Sequence, residues 1–245
     1  MSKIPSKPEE IFGDFAHDYK EVFGADLISI ILYGSAARSE YVPKKSDINF
    51  MIVLTDEGIH ALGKALPLVP KWLKRNVSTP LFLTKQYIRS SLDSFPIEFL
   101  NFKAAYRLIA GEDVLADISF DNALLRLQCE REIKGKLLQL REAFLETQGK
   151  RQRIEGLISL SLSTFFSIFQ AVLFLRERDP ATDKRHLIGI AAGETGIDST
   201  LFLNLLAIKE GKKKLTTKEA VPLMERYINE IKKLSIWIDG IETDG

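Results

Sequence analysis

The stretch Leu32-Tyr-Gly-Ser-Ala-Ala-Arg-Ser-Glu-Tyr-Val-Pro-Lys-Lys-Ser-Asp-Ile-Asn-Phe-Met-Ile-Val-Leu54 decides the reading of this chain. An apolar run from Leu27 to Tyr33 stops at Gly34-Ser35, and a second, Phe50 to Leu54, begins directly after Ser46-Asp47-Ile48-Asn49. The pattern predicts a strand, a phosphate-sized turn and a second strand. Gly34 lets the backbone approach a ligand with no β-carbon in the way, and the Ser35 hydroxyl and nearby amides can donate to phosphate oxygens. The segment after it is expected to open a helix whose N-terminus favours an anion. Asp47 and Asn49 stand two apart on a strand, so both side chains leave the same face and can reach one metal ion.

Gly34-Ser35, Arg38 and Ser46-Asp47-x-Asn49 ahead of a hydrophobic strand resemble the signature of the nucleotidyltransferase superfamily, which includes DNA polymerase beta and the antibiotic nucleotidyltransferases. In that family a Gly-Ser pair is followed, after roughly ten residues, by Asp-x-Asp or Asp-x-Glu. This chain departs at the second acidic position, which is Asn49.

Length and composition set the outer limits. At 245 residues with 45% hydrophobic content the chain can bury a sizeable core, as one large domain or two smaller ones. Basic and acidic residues nearly cancel, 34 against 33, which speaks against a broad nucleic-acid footprint and for a small, local ligand. The single cysteine, Cys129, cannot form an internal disulfide, so a reducing, cytoplasmic setting is expected. The first ten residues hold no apolar stretch of signal-peptide length, which argues against export by that route. The sequence leaves a homodimer open.

Working outward, Ile11, Phe15, Tyr19 and Phe23 recur at steps of four and mark one face of a helix over about 8–23. Lys44 and Lys45, in the turn after Pro43, are either a solvated loop or a phosphate-neutralising pair. Residues 57–75 read as helix interrupted by Pro67 and Pro70, 79–84 as a strand and 85–92 as a surface helix. Phe95 to Phe102 reads as an apolar strand with one acid, Glu98, in its middle. A carboxylate there needs a metal, a substrate proton, or a salt bridge to Lys103 or Arg107. His17 and His60 have no evident partners and read as structural or surface residues.

From Asp121 the pattern changes to long helices, over about 121–147, 183–192, 198–209 and 216–238, with Asp198 as an N-cap and Gly211 as a stop. Thr216 and Glu219 have capping-box spacing, with Pro222 favouring a later start. Gly156 to Leu175 runs twenty residues without a charge, long enough for a membrane span. Ser159, Ser163, Ser167 and Gln170 put a polar stripe on it, which fits a core helix of a bundle, and no membrane role is expected. The stripe serves close helix approach or lines a cleft. Lys209 and Lys212 to Lys214 read as a solvated connection.

The fold class expected is α+β: a nucleotidyltransferase domain over 1–115, with a small mixed β-sheet and flanking helices, followed by a helical bundle over 120–245 with the binding cleft between them. The arrangement is similar to that of antibiotic nucleotidyltransferases such as the streptomycin and spectinomycin adenylyltransferases, although the motif match covers only Leu27 to Gly111. The resemblance implies transfer of a nucleoside monophosphate from a triphosphate, ATP in the first instance, to a hydroxyl of a small molecule or protein. It implies Mg²⁺ or Mn²⁺ held by Asp47, Asn49 and Glu98, phosphates steadied by Gly34, Ser35, Arg38 and Ser46, and catalysis by Asp47 and Glu98, the latter as proton acceptor. In the family a third acid comes from a strand beside the first two, and Glu98 is the candidate. The alternative is a nucleotide-binding pseudoenzyme or a regulatory, antitoxin-like partner, because Asn49 brings no charge.

Overall fold

The structure is a computed structural model that describes residues 4–38, 40–179, 181 and 183–242, so the first three residues of the polar N-terminal stretch lie outside it. The described chain falls into two compact units. One takes residues up to Leu92 together with Phe102–Ser119, and the other takes Asp93–Asn101 together with residues from Phe120 on.

In the first unit a 3₁₀ turn leads into α1 (Phe12–Phe23), followed by β1 (Leu27–Tyr33) and β2 (Asn49–Leu54). Then come α2 (Asp56–His60), α3 (Leu68–Leu73), β3 (Leu81–Thr84) and α4 (Lys85–Ser91). Helix α5 (Pro96–Ala104), most of which is counted in the second unit, precedes the last strand, β4 (Tyr106–Gly111). The strands form one mixed sheet in the order β3-β2-β1-β4, with β1 antiparallel to β2 and β4, and β3 parallel to β2. The four aromatic and aliphatic residues spaced along α1 and its leading turn are all buried, in one core with Ile30, Leu32, Phe50 and Ile52. Phe15 stacks on Phe50 with ring centroids 4.0 Å apart. Ile31, Met51 and Val53 point to the other side of the sheet and are just as buried. Burial on both faces explains why β1 and β2 read as continuous apolar runs.

Pro67 and Pro70 divide the segment after β2 more thoroughly than one interrupted helix. Pro67 is the N-cap of α3 and Pro70 lies in its first turn, where a missing N–H leaves no helical bond unmade. The apolar pattern does not reveal β4, since Arg107 and Leu108 are exposed. It is fixed by backbone geometry: Gly111 has φ +83°, and a β-carbon there would stand 2.0 Å from the Ile28 carbonyl oxygen.

The second unit is built on α6 (Asn122–Glu146), α7 (Arg151–Leu175), α8 (Lys184–Thr195), α9 (Ser199–Lys209) and α10 (Thr217–Asp239). Its helices start where their capping residues stand. Asp121 accepts from the Ala123 and Leu124 amides, Asp183 from His186 and Asp198 from Leu201. The Thr216–Glu219 capping box forms in full, so Pro222 sits inside α10 rather than opening it. Gly211, at φ +71°, follows α9.

By length and composition α7 could cross a membrane, and in this fold it is the buried core helix, with Ile158, Leu162, Phe165, Phe169 and Val172 all inside. Three residues of its polar stripe, Ser159, Ser163 and Gln170, are taken up by hydrogen bonds to other segments. Lys209 donates to the Ser159 carbonyl at 2.5 Å and to the Ser163 hydroxyl at 2.7 Å, and Gln170 exchanges bonds with the Ala181 backbone. Burial, with Lys184 nearby, lowers the Lys209 ammonium below its ordinary value. Lys209 therefore belongs to the packing of α7 against α9 rather than to a solvated connection.

Candidate functional site

At the end of β1, Gly34 turns the chain with φ +76°, a left-handed conformation that side chains resist. Gly34–Ala36 forms a single 3₁₀ turn, closed by the Ala37 and Arg38 amides donating to the Gly34 carbonyl at 3.1 and 3.2 Å. In place of the expected anion-binding helix, β1 runs into a tight turn with Ser35 at its centre.

The second half of the motif is a closed loop. Val42 accepts from the Lys45 and Ser46 amides, and the Ser46 hydroxyl accepts from the Val42 N–H at 3.2 Å. Lys44, at φ +65°, and Lys45 are exposed at its tip. Ser46 thus helps shape the loop that delivers Asp47, with its hydroxyl hydrogen still able to donate.

Asp47 is exposed, Ile48 buried, Asn49 half-buried and Phe50 buried, so the alternation expected of a strand puts Asp47 and Asn49 on one face and the core residues on the other. Tyr33 pairs with Asn49 across β1 and β2, and the Asn49 Nδ2 lies 3.4 Å from where a β-carbon on Gly34 would stand. The turn and the start of β2 are therefore immediate neighbours. Among the described residues, no hydrogen bond or ion pair engages the side chains of Ser35, Arg38, Asp47 or Asn49. Their polar atoms are available to a ligand.

Two further residues hold this corner. Asn76, at φ +64°, donates its side-chain N–H to the Ser46 carbonyl at 2.7 Å, while its backbone carbonyl accepts from the Ile48 N–H at 2.9 Å. It thereby clamps the chain on both sides of Asp47, and its only advance signal is an asparagine ahead of a strand, a residue that tolerates the left-handed region. Tyr41 donates to the Pro5 carbonyl at 3.0 Å. Burial raises the Tyr41 hydroxyl above its ordinary value, and the Glu10 and Asp47 carboxylates add to the effect.

Glu98 is placed differently from the expectation. The segment read as an apolar strand is helix α5, and Glu98 is an exposed residue on it, within the second unit. Pro96 starts the helix, and the buried Gln128 of α6 caps it by accepting from the Ile97 N–H at 2.8 Å. The same Gln128 donates its Nε2–H to the Glu98 carboxylate at 2.8 Å. Ile97 and Leu100, three apart, bury into the helical core. The desolvation argument for Glu98 therefore falls away, and so do both cations offered to it. Lys103 donates to the Ala116 and Ile118 carbonyls, and Arg107 pairs with Glu9 at 3.0 Å. Among the described residues none of the four strands carries an acid, so no strand supplies the family's third carboxylate.

Among the described residues no three His, Cys, Asp or Glu side chains come together to hold a metal. One carboxylate and one amide on a strand face still suit Mg²⁺, which takes few protein ligands and completes its shell with water and substrate phosphates.

No protein-family model matches the chain, and no curated protein matches it. Among solved structures it is similar to the crystal structure of spectinomycin adenyltransferase AAD(9) from Enterococcus faecialis with ATP and spectinomycin. The likeness has a TM-score of 0.52 at 12% sequence identity and covers 91% of this chain and 99% of that one. At that distance the two share an α+β, nucleotidyltransferase-like fold.

Proposed function

We propose that this protein binds a nucleoside triphosphate at the Gly34-Ser35 turn and transfers its nucleotidyl group to a hydroxyl of a small acceptor. The carrying observation is the corner where Gly34 meets Asn49, with the Ser35, Arg38, Asp47 and Asn49 side chains all uncommitted among the described residues. In this reading the acceptor oxygen bonds to the α-phosphorus as its hydroxyl proton passes to solvent, the bond to the β-phosphate oxygen breaks, and pyrophosphate leaves. Ser35 and Arg38 hold phosphate oxygens, and Asp47 and Asn49 hold a divalent cation, Mg²⁺ or Mn²⁺. The bound cation would neutralise phosphate charge. ATP as donor and a small-molecule acceptor are supported by the contents of the similar adenyltransferase structure.

A second reading, nucleotide binding without transfer, is favoured by Asn49 and by the lack of an acid on any of the four described strands. Calorimetric titration of ATP in millimolar Mg²⁺ tests what both readings share. Binding in the wild type that weakens at least tenfold in Asp47→Ala, about 1.4 kcal/mol, is expected. No binding, or equal binding by the variant, rejects the site. Pyrophosphate release across an acceptor panel then separates transfer from binding alone.

A further inference from the structure

We propose that the outer face of α6 is a self-pairing surface through which two copies of this chain associate, their α6 helices running antiparallel. Leu127, Leu138 and Leu145 are 54%, 65% and 76% exposed on a helix whose opposite face is buried in the core. With Arg131, Gly135 and Glu142 they form a single stripe, at steps of four, four, three, four and three residues. That spacing keeps side chains on one seam of a helix pair. The stripe is about 27 Å long at the α-helical rise.

Laid antiparallel on a copy of itself, the stripe is complementary. Leu127 meets Leu145, Arg131 meets Glu142 and Gly135 meets Leu138, and a two-fold axis repeats each pairing. Arg131 and Glu142 make no hydrogen bond or ion pair among the described residues, so each charge is free to meet the other's copy. Gly135 fits the same pairing. A β-carbon there would meet nothing within 4 Å, so nothing in the chain's own fold requires a glycine, which is a poor choice in an exposed helix interior. A leucine from a second helix gives it a purpose, because the missing side chain is the hole into which Leu138 of the other copy fits. Leu160 on α7, 78% exposed, extends the apolar surface beside Gln139 and Ala143 across a cavity of about 230 Å³. A membrane or an unrelated protein would not need the charge reversal that makes this stripe match itself.

Analytical ultracentrifugation of the full chain tests the pairing. The wild type is expected to sediment at twice 27.7 kDa at micromolar concentration. Arg131→Glu and Glu142→Arg each place like charges opposite one another and should weaken association at least tenfold, with circular dichroism unchanged because both positions are exposed. The double variant Arg131→Glu/Glu142→Arg restores the pairs and should recover affinity to within about threefold. A wild type that stays at 27.7 kDa up to about 100 µM overturns the proposal. So does a dimer indifferent to either single substitution, or a double variant that remains as weak as the singles.

Discussion

The side-chain nitrogen of Asn49 lies 3.4 Å from the point a β-carbon on Gly34 would occupy, and Gly34 has φ +76°. A side chain here would adopt a backbone conformation it resists and would stand in van der Waals contact with Asn49. Gly34→Ala should lower stability by about 1–2 kcal/mol in urea denaturation. Triphosphate affinity measured by calorimetry should fall at least tenfold. Full affinity in a destabilised variant would detach the turn from the ligand.

Asn49→Asp supplies the carboxylate that the family pattern has and this chain lacks. If the protein transfers nucleotidyl groups, the substitution should raise pyrophosphate release about tenfold, about 1.4 kcal/mol of barrier, with Asp47→Ala silent. Tighter Mg²⁺ binding without pyrophosphate from any of the three proteins selects the binding-only reading.

Gln128 joins α5 to α6 through both ends of its amide. Gln128→Ala strands the Ile97 N–H and should cost about 1–3 kcal/mol in denaturation. Glu98→Gln keeps an oxygen for the same bond and should stay within about 0.5 kcal/mol of wild type. A hundredfold drop in pyrophosphate release in that variant would make the carboxylate a proton acceptor. Unchanged release would leave it an anchoring role.

Burial pushes the Cys129 thiol from its ordinary 9.0 up to about 12, with Arg126 pulling the other way. The folded state therefore holds the proton more tightly than the unfolded one. The stability this contributes is complete below pH 9 and disappears as the pH rises towards 12. Cys129→Ala should flatten the fall in unfolding free energy over that window, and iodoacetamide should label the wild type only as fast as it unfolds.

At Gly111, φ is +83° and an added β-carbon would sit 2.0 Å from a backbone oxygen that cannot rotate away. Gly111→Ala should cost more than about 3 kcal/mol, read as a lowered denaturation midpoint.

The parts of the fold written in local chemistry were legible. Gly34-Ser35 between two apolar runs marked β1, the turn and β2, and Asp198 and Thr216 announced two helices because a capping side chain bonds within three residues. The parts settled by distant partners were not. Phe95 to Phe102 is apolar enough for a buried strand, and it is held as a helix by Gln128, some thirty residues on. β4 is short and half-exposed, and it exists through pairing with β1. At the candidate site, the shared face of Asp47 and Asn49 was legible from their spacing, whereas Asn76 acts through a conformation and two long-range bonds.

The helical unit is not a continuous piece of the chain, because Ile97 and Leu100 belong to its core and come from a segment that precedes β4. A fragment beginning at Phe120 would carry every long helix and still expose the surface those two residues cover. Anyone exchanging helical halves between proteins of this fold has to transplant residues 93–101 along with the bundle. A single-junction chimera at the visible change in sequence pattern would instead combine two parents inside one hydrophobic core.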